Sequence, residues 1–194
     1  PQLHDNLIAP ATPDGLPADQ VSKPSPHAYI EDTVRLGLGR PVIEPKATEH
    51  IDEIIALCQN LVDKDMAYET GGSVYFRVEK FAGYGKLSGQ KTDQMRHCEL
   101  AREGEAKDSP LDFAVWKAAK PGEPAWDSPW GPGRPGWHIE CTAMSLKYLG
   151  ERFDIHGGGR DLVFPPRANE GAPAGAATGN DLVRHMTPHG RHPR

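Results

Sequence analysis

Residues 153 to 170, FDIHGGGRDLVFPPRANE, constrain the fold more than any other stretch of this chain. The run RFDI, residues 152 to 155, has strand character and leads into three consecutive glycines, Gly157, Gly158 and Gly159. Glycine carries no Cβ, so its backbone lets another molecule approach closely, and a strand that opens into such a loop suits a nucleotide. Asp161, just beyond, is placed to take the hydroxyls of a ribose. The same triplet is equally the sequence of a plain turn, and the residues alone do not choose between the two. Any helix in LVFPPRANE begins after Pro165 and Pro166, because proline donates no backbone hydrogen bond and restricts the residue before it.

Upstream, GWHIECTAMSLKYLG predicts a helix, with Pro135 at its first position and Gly150 as its terminator. Trp137, Cys141, Met144 and Tyr148 recur at helical spacing and share one face. That face is either core or the wall of a site. The preceding KPGEPAWDSPWGPGRPGW is rich in Pro, Gly and Trp, so Trp126 and Trp130 are expected to pack on the body. Leu111, Phe113 and Val115 alternate as in a strand, and Gly71-Gly72 between two β-rich runs signals a two-residue hairpin. Apolar residues at 51, 54, 55, 58, 61 and 62 predict a helix over 49–65, with Thr48 as N-cap and Cys58 in the core. A shorter helix is expected around Tyr29, Ile30, Val34 and Leu38. Residues 83–109 read as a polar loop, with His97 and Cys98 on a solvated helix face. The resulting order is α/β with an inserted antiparallel piece.

Composition narrows the class. The net charge of −5 argues against a wholly basic nucleic-acid surface, and three cysteines are too few for a disulfide framework. No apolar run is long enough to span a bilayer, so a cytoplasmic protein without membrane contact is expected. Residues 1–45 hold eight of the 19 prolines and show little periodicity, which marks a loose arm. The tail VRHMTPHGRHPR, with His185, His189 and His192 among arginines, reads as solvated and basic rather than metal-binding, because Pro188 interrupts any helix that would align the histidines.

The segments EPKATEHIDEII, GSVYFRVEKFAGYGKLSGQ, SPLDFAVWKAAKPGEPAWDSPWGPGRPGW and RPGWHIECTAMSLKYLGERFDIHGGGRDLVFP resemble the cysteine–tRNA ligases, class I aminoacyl-tRNA synthetases. The likeness covers residues 44–165 in correct order, and a weaker one extends from about 27 to 184. It implies the second half of a Rossmann-type catalytic domain with an inserted connective α+β piece. The implied boundaries are 1–43 an irregular or weakly helical arm, 44–130 the connective insertion and return strand, 131–184 the second half of the nucleotide-binding domain, and 185–194 a basic tail. The implied activity is ATP-dependent activation of cysteine and its transfer to tRNA. The implied ligands are cysteine, ATP, tRNA and a zinc ion that selects the substrate thiolate. By resemblance Trp137 and Cys141 bind cysteine, Gly157, Gly158, Gly159 and Asp161 hold the adenosine part of ATP, and Cys141 and Glu170 are zinc ligands.

The family's Phe-Pro-His-His-Glu-Asn-Glu motif reads here Phe164-Pro165-Pro166-Arg167-Ala168-Asn169-Glu170. Pro166 stands at a histidine ligand's place and offers a metal no side-chain atom. The His-Ile-Gly-His and Lys-Met-Ser-Lys-Ser phosphate-binding signatures have no counterpart in these residues, and neither does the family's first zinc cysteine. The reading is therefore of a partial copy, lacking an N-terminal half, that binds zinc weakly or not at all and forms no adenylate alone. No residue is assigned as catalytic. Two other readings fit the motifs: a non-catalytic synthetase-like protein that binds RNA or a synthetase, and a relative that joins cysteine to an amino sugar. With the half-sheet lacking neighbours, residues 44–118 are expected to be the ordered part. Residues 1–26 and 166–194 are expected to be mobile, with the apolar face of the helix at 136–149 left open.

Overall fold

The hairpin forms because Gly71 and Gly72 adopt φ of 59° and 78°, the left-handed conformations that a two-residue turn between twisted strands requires. The computed structural model describes residues 24–85, 107–159 and 168–189. It divides into two compact units, Pro1–Glu49 and His50–Arg194.

In the first unit, helix α1 spans Pro24–Arg35. It stops short of Leu38, the last of the apolar positions expected on this helix. Gly37 turns to φ 75°, and the Leu38 amide donates back to the Thr33 carbonyl at 3.0 Å, closing the helix in a Schellman-like cap. A single 3₁₀ turn, Ala47–Glu49, contains Thr48.

The second unit opens with α2, Ile51–Asp63. Its N-cap is His50 with no side-chain cap bond, so Thr48 does not cap it as expected. Ile51, Ile54, Cys58 and Leu61 are buried, on the face read from the periodicity. Strands β1 (Ala67–Thr70) and β2 (Ser73–Phe76) form the hairpin; β3 (Phe113–Ala118) and β4 (Gly133–Pro135) complete an antiparallel sheet in the order β1-β2-β3-β4. Asp112 locks its edge: one carboxylate oxygen accepts from the Val78 amide and the other from the Tyr68 hydroxyl, each at 3.0 Å. Trp126 and Trp130 pack against the core as expected, and the Trp130 ring lies 6.1 Å from that of buried Trp116. Pro135 is not helical; it pairs with Trp116 in β4.

Helix α3 runs Trp137–Leu149 and ends at Gly150, φ 81°. Strand β5 (Phe153–Gly159), helix α4 (Ala168–Thr178) and strand β6 (Val183–His189) follow, with β5 and β6 parallel. This strand–helix–strand crossover is the building unit of a Rossmann-type sheet.

Three expectations change here. The three glycines continue β5 rather than forming a loop, opposite Thr187, Pro188 and His189. Residues 185–189, expected in the basic tail, are strand. Residues 168–178, expected to be mobile, are helical, with Ala168, Asn169, Ala172, Pro173 and Ala174 buried. The face of α3 that packs inward is Ile139, Glu140, Thr142 and Ala143, whereas the face of Trp137, Cys141, Met144 and Tyr148 is half-buried to exposed, as expected of an open side. One core holds Ile54, Phe76, Trp116, Ile139 and Ala172 together, so the inserted piece and the crossover fold as one body.

Candidate functional site

The entry to α3 depends on two glycines. A Cβ on Gly133 would fall 2.2 Å from the Trp116 indole nitrogen, and one on Gly136 would fall 2.0 Å from the Ala114 carbonyl oxygen. Only glycine lets β4 lie this close on β3 and release the chain into the first turn of α3. That turn carries Trp137 and His138, whose rings stack at 5.1 Å and 23°. The Phe113 ring meets His138 edge-on at 5.9 Å. Burial pushes the His138 imidazole down to about 4, with only a weaker upward pull from Glu170, so the ring is neutral near pH 7.

Cys141 is one helical turn further on and half-buried. The residues expected to share its face, Trp137, Met144 and Tyr148, are half-buried or exposed, so this is the open side of α3. Thr142, on the covered side, has its Oγ1 3.1 Å from the His138 carbonyl and 3.0 Å from the Glu170 carbonyl. It binds the first turn of α4 to α3 and so brings Glu170 up to His138.

The Glu170 carboxylate accepts a hydrogen bond from His156 Nε2 at 2.8 Å. His156 stands on β5 immediately before the glycines, stacked on Phe153 at 6.2 Å. The structure thus joins Glu170 to α3 through Thr142 and to the strand bearing Gly157–Gly159 through His156. Asp161 and Pro166 lie outside the described residues, as do His97, Cys98 and His192. His138 and His156 were missed as site residues. Both were visible in the sequence, one following Trp137 and one preceding the glycines.

A family model described as "tRNA synthetases class I (C) catalytic domain" matches residues 2–191. The chain belongs to this family. The match runs well past residues 44–165, into both the expected arm and the expected tail. The cysteine–tRNA ligase of Syntrophotalea carbinolica is 54% identical over 188 residues, which is 97% of this chain and 39% of that relative. The enzyme of the same name from Geotalea daltonii is 53% identical, with 97% of this chain and 38% of the relative covered. That from Carboxydothermus hydrogenoformans is 50% identical, covering 97% and 40%. The chain spans about two fifths of the length of these curated relatives. The strand–helix–strand unit and the mixed helix and sheet agree with a class I synthetase catalytic domain.

The donor groups fit the implied zinc poorly. Of the two residues expected to be zinc ligands, Cys141 offers a thiol but the Glu170 carboxylate is engaged by His156. Among the described residues no three His, Cys, Asp or Glu side chains converge as metal ligands. Tetrahedral zinc needs four donors, and Pro166 contributes none. Among the described residues, no helix is long and apolar enough to cross a membrane.

Proposed function

We propose that this chain supplies the part of a cysteine–tRNA ligase that holds the cysteinyl end and the adenosine end of cysteinyl-adenylate. The observation that supports the reading is the docking of α4 between α3 and β5, through Thr142 to the Glu170 carbonyl and His156 to the Glu170 carboxylate. In open parallel sheets ligands bind beyond the carboxyl ends of the strands, and Gly157–Gly159 form that end here. Glycines in an extended strand carry no side chain between the backbone and a planar base or ribose. Trp137 and Cys141 on the open side of α3 form the wall for the amino acid. Asp161 takes the ribose hydroxyls.

Activation of cysteine requires stabilising the charge on a five-coordinate phosphorus as pyrophosphate leaves. The phosphate-binding signatures that the resemblance implies for this step have no counterpart among these 194 residues. The chain is therefore a binding half: it orients cysteine and adenosine, and by itself releases no adenylate. ATP, cysteine and tRNA are the ligands of the whole activity, and the cytoplasm is its place. The likeness to enzymes named cysteine–tRNA ligase favours this reading over an amino-sugar ligase or a non-catalytic RNA binder.

Calorimetric titration with a non-hydrolysable cysteinyl-adenylate analogue tests it. Saturable one-to-one binding, weakened at least tenfold by Trp137→Ala and by Asp161→Ala, is expected. Binding that neither variant disturbs would place the ligand elsewhere and refute the reading.

A further inference from the structure

We infer that His156 is the partner this chain gives Glu170 in place of a metal ion, so that the two side chains form a metal-independent clasp across the crossover from β5 to α4.

The geometry is that of a committed pair. Nε2 and Oε2 are 2.8 Å apart, and the two side chains are only 19% and 13% exposed. A carboxylate only accepts, so the imidazole carries its proton on Nε2. His156 Nδ1 is buried with no hydrogen-bond partner among the described residues, which agrees with that tautomer. The imidazole is held in β5 with Phe153 against its face. Glu170 is held at its other end as well, because its carbonyl accepts from Thr142. Donor and acceptor are thus fixed by separate elements before they meet. The inference is carried by that geometry together with Pro166, which removes a nitrogen ligand from the segment between the two residues.

A functional consequence follows for the pocket wall. Glu170 would meet a ligand as a hydrogen-bonded carboxylate whose position is set by an imidazole, with no metal to prefer sulfur. His156 is then a positioning residue that acts through Glu170. The inference rests on the pocket reading given above and deepens it. Binding of the adenylate analogue without metal leaves both standing, whereas analogue binding that requires metal overturns this inference alone.

The test is a double-mutant cycle on the 194-residue chain, read by urea unfolding with EDTA and again with zinc. His156→Ala and Glu170→Ala should each raise the unfolding constant about tenfold to a hundredfold, as for a buried bond to a charged group. The double variant should be no worse than the poorer single one. His156→Gln, which keeps a donor near Nε2, should recover most of the loss. All values should be the same in both buffers. Cobalt(II) added to the wild-type chain should give no thiolate-to-metal absorption, a readout that holds even if a variant fails to fold. Additive single effects, coupling that changes with EDTA, or a stoichiometric cobalt band that Cys141→Ser abolishes would each overturn the inference.

Discussion

Thr142 Oγ1 lies 3.0 Å from the Glu170 carbonyl oxygen, and this bond ties the second turn of α3 to the first turn of α4. Thr142 is fully buried. Thr142→Val keeps the shape but leaves the Glu170 carbonyl without its hydroxyl donor. The expected loss is about 1–3 kcal/mol in urea unfolding. A loss indistinguishable from zero would mean that apolar contacts alone set the spacing.

Gly136→Ala should cost more. Its Cβ would stand 2.0 Å from the Ala114 oxygen, which is backbone and cannot swing away. Overpacking of this kind costs about 3 kcal/mol or more. Melting within a degree or two of the parent protein would show that β4 shifts freely on β3.

The cysteines should divide by reactivity. Cys58 has no exposed surface, and burial alone pushes its thiol far above the usual range. In a Cys98→Ser background, a thiol reagent at pH 8 should label Cys141 in the native protein and Cys58 only on unfolding. Mass spectrometry of digests locates the label, and native labelling at Cys58 would contradict its placement on α2.

His138 predicts a stability slope with pH. Its folded value is depressed from 6.5 to about 4, so the folded state resists protonation that the unfolded chain accepts. The contribution is complete above about pH 6.5 and is lost as pH falls towards 4. At 1.36 kcal/mol per unit the loss approaches about 3 kcal/mol. His138→Phe should flatten the curve in that window. An unchanged slope in the variant would assign the acid sensitivity to other groups.

Much of this molecule is legible locally. Gly71-Gly72 announces the hairpin, and the spacing of Ile51, Ile54, Cys58 and Leu61 announces the buried face of α2. The failures come where distant pairing decides. Gly157–Gly159 read as a loop by propensity and become strand because β6 pairs with them. That partner, VRHMTPH, is basic and holds Pro188, so nothing in its own composition suggests a strand that would pair with the glycines. On α3 the apolar period selected Trp137, Cys141, Met144 and Tyr148, yet Glu140 and Thr142 point inward. Buried polar residues satisfied by tertiary bonds, such as Thr142, are invisible to a hydrophobic count. The candidate site residues Trp137, Cys141 and Glu170 are singled out in the sequence only by the family likeness. His138 and His156 acquire their roles from α4 docking beside them.

The central claim, that the open side of α3 and the glycine end of β5 together hold cysteinyl-adenylate, is tested most directly by nitrogen-15 NMR during titration with the non-hydrolysable analogue. The indole signal of Trp137 and the amide signals of Gly157, Gly158 and Gly159 should move together and saturate at one equivalent, while the indole of buried Trp116 stays in place. Saturable binding that leaves the Trp137 and glycine signals unmoved would contradict the account.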